Sequence, residues 1–137
     1  MAVISQIIRD HRNWAEGRPI GTPLAVALTK ADVVWPMLAP GSRLLAPSRH
    51  DGYFDDTDRA EVHDEVRSLL QDWDGGALRR QVEANFTTSS FFAFSALGGA
   101  PQDEARAPAL GIRPFRPEDP VLWLLARFGL IPVRKAR

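Results

Sequence analysis

Two polar runs in this chain each follow an apolar stretch, and together they carry residues able to read a purine base. Pro23 through Leu28 empties into Thr29-Lys30-Ala31-Asp32, and Phe91 through Phe94 empties into Ser95-Ala96-Leu97-Gly98. A carboxylate at a strand mouth can accept both donors that guanine presents on one edge, its ring imino group and its exocyclic amine, which assigns base selection to Asp32. Charge-assisted hydrogen bonds of this kind contribute about 1.5–3 kcal/mol each. Lys30 would lay its aliphatic stem along the base face, and the Thr29 hydroxyl would tie strand ends together. Ser95-Ala96 supplies a backbone N–H for the guanine carbonyl oxygen, Ala96 is small enough for close approach, and Leu97 offers apolar contact. Thr29 to Asp32 also reads as a plain strand exit, with Asp32 capping a helix.

The elements that must position these residues follow from periodicity. Val3, Ile4, Ile7, Ile8 and Trp14 share one helical face, so the first sixteen or so residues read as an amphipathic helix stopping near Gly17-Arg18-Pro19. Residues 24 to 28 are apolar without alternation, the pattern of a strand covered on both faces. Asp32 opens at most a short helix before Pro36, and residues 40 to 53 read as loop. Asp58 with Glu61 resembles a capping box for a helix whose stripe is Val62, Val66, Leu69, Leu70 and Trp73, broken by Gly75-Gly76. A further helix carries Leu78, Val82 and Phe86, and a strand follows at 91 to 94. Asp119 reads as an N-cap with Pro120 at the first helical position, and Val121, Leu122, Leu125 and Phe128 as the packed side.

The chain of 137 residues is 45% hydrophobic, enough for one domain with a core. Seventeen basic residues balance seventeen acidic ones, so no global field recruits nucleic acid or an anionic membrane. There is no cysteine, which removes disulfides, thiolate zinc sites and cysteine nucleophiles. No run of about 18 apolar residues and no cationic leader occurs, so the expectation is a cytoplasmic protein. His11, His50 and His63 are scattered, His63 beside Asp64 reads as a solvated face, and no metal site is expected. Asp72-Trp73-Asp74-Gly75 reads as a helix end. No Gly-x-x-x-x-Gly-Lys-Ser/Thr loop for phosphates is present.

On these residues the chain resembles the C-terminal half of a TRAFAC-type P-loop GTPase domain. Within that class it is similar to the bacterial double-GTPase family, with an Ala-Val-Ala-Leu-Thr-Lys-Ala-Asp strand, a Phe-Ser-Ala-Leu-Gly strand and a closing segment that here runs from Pro114 through Asp119-Pro120 to Trp123-Leu124-Leu125. The resemblance covers residues 1–130 and leaves 131–137 as a basic tail. It implies an α/β fold holding the C-terminal part of a P-loop NTPase sheet, parallel strands with flanking helices. It implies guanine contacts from Thr29, Lys30, Asp32, Ser95 and Ala96, with Leu97 adjoining, and no catalytic or metal residue. GTP or GDP with Mg would bind only in a completed domain, and hydrolysis would need a phosphate loop from another segment. The expected partner is a missing N-terminal GTPase half, a second copy, or another protein at an exposed sheet edge. The alternative is a GTPase-derived protein-interaction module without nucleotide binding.

Overall fold

The apolar run at 24 to 28 forms β1 (Leu24–Leu28), which pairs in parallel with β3 (Ser89–Ala93), Leu24 opposite Ser89 through Leu28 opposite Ala93. The computed structural model describes residues 2–12, 17–99 and 111–135. The other elements are α1 (Ala2–Arg12), β2 (Phe54–Asp55), α2 (Asp56–Asp74), α3 (Ala77–Asn85), α4 (Asp119–Arg127) and β4 (Val133–Arg134), with 3₁₀ turns at Ala31–Val33, Trp35–Met37 and Arg43–Leu45. Residues 13–16, with Trp14, lie outside the described residues.

Alternation along β1 sends its side chains into two cores. Leu24, Val26 and Leu28 pack against Val62, Val66 and Leu70 of α2, Val82 of α3, and Phe91. Ala25 and Ala27 face Phe54, Phe92 and Trp123 on the other side. Helices therefore cover both faces, which explains why β1 and β3 are apolar without alternation. Phe91 and Phe92 are sealed from water, and truncating either to alanine would cost about 3–5 kcal/mol. A second parallel pair joins β2 to β4, Phe54 opposite Val133, so part of the stretch read as a basic tail is paired chain. The architecture is mixed α/β with short parallel strands, and the finer P-loop NTPase assignment finds no further support in it. No described helix is long and apolar enough to cross a membrane.

Three sequence expectations shift. The N-cap of α2 is Asp55, whose carboxylate accepts the Asp58 N–H at 2.9 Å, so Asp58 lies inside the first turn. Asp119 likewise makes no cap bond on α4, although Pro120 does sit in the first turn. The packed face of α4 is that of Trp123 with Leu122, Leu124 and Ala126, while Val121 and Phe128 are 58% and 64% exposed. Apolar residues surround most of this helix, and only one side can meet the sheet. The Gly75-Gly76 break holds, both residues being left-handed, and Asp74 accepts from the Gly76 and Leu78 N–H groups to start α3.

Candidate functional site

The chain leaves β1 through Thr29 and turns at Lys30, which takes the left-handed conformation (φ 56°) before the 3₁₀ turn at Ala31–Val33. That conformation costs a residue with a Cβ about 1–2 kcal/mol. Here the Ala31 N–H donates to the Phe94 carbonyl at 3.1 Å, fastening the turn to the end of β3. Thr29 and Lys30 are exposed, and with Leu28, Ala31, Val33, Val34, Ala93 and Trp73 they line a cavity of about 290 Å³. Trp73, from the last turn of α2, is 50% exposed and Val33 65%. Apart from the two polar residues at its mouth, the lining is aliphatic or aromatic.

Asp32 and Ser95 come together at these same strand ends. The Ser95 hydroxyl donates to Asp32 Oδ1 at 2.5 Å and accepts the Gly98 N–H at 2.9 Å. Ser95 is buried, and its backbone exchanges two hydrogen bonds with Phe115, 3.0 and 2.8 Å. Ala96 and Leu97 are exposed, and the Leu97 carbonyl accepts the Arg113 N–H at 2.9 Å. The structure therefore places Thr29 and Lys30 on the cleft, joins Asp32 to Ser95, and uses Leu97 in a hairpin-like pairing with residues 113–115.

A charged network lies in the first turn of α2 and the start of α4, where the sequence pattern reads Asp58 and Asp119 as caps. Arg116 donates to both oxygens of Asp58, 2.9 and 3.1 Å, and to Asp119 Oδ2 at 2.7 Å. It also reaches the carbonyls of Ala46 and Pro47 at 2.9 and 3.2 Å. Arg43 adds a second cation at 2.5 Å from Asp58 Oδ1. Burial acts to raise the Asp58 carboxyl, but Arg116 and Arg43 outweigh it and hold the group below its ordinary value. Burial acts to lower Arg116, and its hydrogen bonds to the Asp58 and Asp119 carboxylates, with their charges, keep it raised instead. His50 Nδ1 accepts the Asp55 N–H at 2.9 Å, which puts the proton on Nε2, 3.3 Å from Asp119 Oδ1. His50, Asp58 and Asp119 each offer a ligand atom within 4.8 Å of the others, yet the Arg116 guanidinium already lies between the carboxylates. The arrangement is a neutralised lock between the loop at 43–50, α2 and the start of α4. Its sequence signal was weak, because acidic residues in first turns are ordinarily read as caps.

The chain is 36% identical, over 124 residues, to a putative ESX-1 scaffolding and assembly protein, SaeC, of Mycolicibacterium smegmatis. The match covers 79% of this chain and 32% of the relative, so the chain spans about a third of that protein's length. No family model matches the chain, and no solved structure matches it. The relative is named for scaffolding and assembly, not for nucleotide chemistry. That overturns the resemblance to a TRAFAC or double-GTPase domain and with it the expected guanine-binding function; a protein partner remains consistent with it, while a missing N-terminal GTPase half has no support. Physically, a Thr-Lys-x-Asp run after an apolar parallel strand also serves as a strand exit, and here the Asp32 carboxylate fastens Ser95.

Proposed function

We propose that this chain is a protein-interaction module within a scaffold that assembles an ESX-1-type secretion apparatus. The observation that carries this reading is the apolar cleft at the β1 and β3 ends, with Val33 and Trp73 left open on a firmly locked frame. Exposed apolar surface of this kind is characteristic of partner contact, and half-buried tryptophan is a frequent anchor there. Its occupant is an apolar side chain of leucine or phenylalanine size from a partner protein. Lys30, exposed at the mouth of the cleft, favours an acidic residue beside that anchor. The relative's printed role supports the reading, as does the length of that protein beyond the matched third.

The test is a chimera in which this chain replaces the matched third of SaeC in M. smegmatis. ESX-1 assembly should be restored, and Val33→Glu or Trp73→Lys should abolish the rescue without changing the far-ultraviolet spectrum or melting temperature. Failure of the unmodified chimera, or rescue by both charged variants, overturns the reading.

A further inference from the structure

The two edges of the β1–β3 sheet are finished differently. The Leu24 N–H donates to the Thr88 carbonyl at 3.0 Å, and the Leu28 carbonyl accepts the Phe94 N–H at 2.9 Å. With the parallel register, this turns the backbone groups of Leu24, Val26 and Leu28 toward β3 and those of Ala25 and Ala27 outward. On the far side of β3, α2 closes the edge. There His63 Nδ1 accepts the outward Phe91 N–H at 3.0 Å. On β1, no described group pairs with the outward N–H or C=O of Ala25 or Ala27. All of β1 is partly exposed, whereas four of the five residues of β3 are buried. The run Leu24–Leu28 also holds no proline, charge or bulge, the devices that ordinarily blunt a sheet edge.

We propose that β1 receives a further strand, an extended apolar segment running parallel to it and supplied by polypeptide outside residues 1–137. The inference rests on the interaction-module reading and names a second contact of that module. Helices cover both sheet faces, so the incoming strand is apolar on both sides. The relative extends well beyond its matched third, and that remaining sequence is where such a segment is sought. A second copy is disfavoured, because a closed two-fold pairing through this edge is antiparallel, while both strand pairs here are parallel.

The experiment uses the full chain and synthetic peptides tiling the SaeC sequence outside the matched region. At least one extended apolar peptide should bind and slow amide exchange at Ala25 and Ala27 tenfold or more. Ala27→Pro removes one outward N–H and leaves the β3 ladder untouched, so it should weaken that peptide at least tenfold. The exchange measurement needs no variant and stands if Ala27→Pro fails to fold. Three outcomes overturn the proposal: no peptide binds; binding is indifferent to Ala27→Pro; or the Ala25 and Ala27 amides are already protected in the chain alone, as monomer or as a concentration-dependent dimer. Peptide binding at the edge does not require Val33 or Trp73, so this experiment and the chimera rescue can fail independently.

Discussion

Arg116 and Asp58, 58 positions apart in sequence, meet through two hydrogen bonds with their side chains 1% and 0% exposed. The pair fastens the segment before α4 to the first turn of α2. Arg116 holds a left-handed backbone (φ 57°) to do so. Removing the cation alone leaves Asp119 without its arginine and Asp58 with only Arg43, both away from water, a change that costs about 3–5 kcal/mol. Arg116→Met should lose that much in urea unfolding at pH 7. Arg116→Lys should recover less than half, because an ammonium cannot reproduce the planar fork. A loss under about 1 kcal/mol for Arg116→Met would show that the network is not a fastening.

The His63 ring gives the fold a pH dependence. Burial lowers its pKa first, then the charges of Arg59 and Arg67, against smaller opposing effects from Asp64 and Glu83. A protonated ring cannot accept the Phe91 N–H. Because the folded-state value lies below the unfolded 6.5, stability is full above that pH and falls as the pH drops from there toward the lowered value. Below about 3.8, Asp58 adds a second loss of the same sign, its folded value being depressed as well. Unfolding free energy measured from pH 8 to 5 should decline in the wild type. It should stay flatter in His63→Asn, where an amide oxygen replaces Nδ1 as acceptor. Parallel slopes for the two proteins would remove His63 from the explanation.

Gly98 cannot carry a side chain. A Cβ there would lie 1.8 Å from the Arg113 carbonyl oxygen, and φ is +74°. Gly98→Ala should therefore cost at least about 2 kcal/mol, from left-handed strain and from opening the pairing between residues 95–98 and 113–115. Gly41→Ala, where a Cβ meets open space, should stay within about 0.5 kcal/mol of wild type. Thermal melts of the two variants make the comparison.

Asp32 and Ser95 should prove coupled. Each single alanine variant removes one side of the 2.5 Å bond, and Ser95→Ala also frees the Gly98 N–H. A double-mutant cycle should return a coupling of about 1–2 kcal/mol. A coupling within 0.3 kcal/mol of zero would mean that the bond does not hold the two strand ends together.

Much of the frame was legible from spacing. The unbroken apolar run at 24 to 28 identified a doubly covered strand, the stripe from Val62 to Trp73 identified α2, and Gly75-Gly76 marked its end. Periodicity failed at α4 because Val121, Leu125 and Phe128 form as regular a stripe as the residues around Trp123, and only tertiary packing selects between them. Asp58 and Asp119 looked like caps because first-turn carboxylates usually are, and nothing local announces an arginine 58 positions away. The Thr29 to Asp32 motif reads correctly as a strand exit, whereas its functional association does not follow, and its carboxylate, Asp32, accepts from the Ser95 hydroxyl.

The parallel pairing of Leu24 with Ser89 also sets a schedule for biosynthesis. The β1 segment leaves the ribosome long before its partner strand exists, and neither α2 nor α3 has yet been made to cover it. At roughly 5–20 residues per second the wait lasts several seconds, during which Leu24, Val26 and Leu28 are apolar, extended and unpaired. A nascent chain in that state is a natural substrate for a holding chaperone, and slow codons before Ser89 would lengthen its exposure.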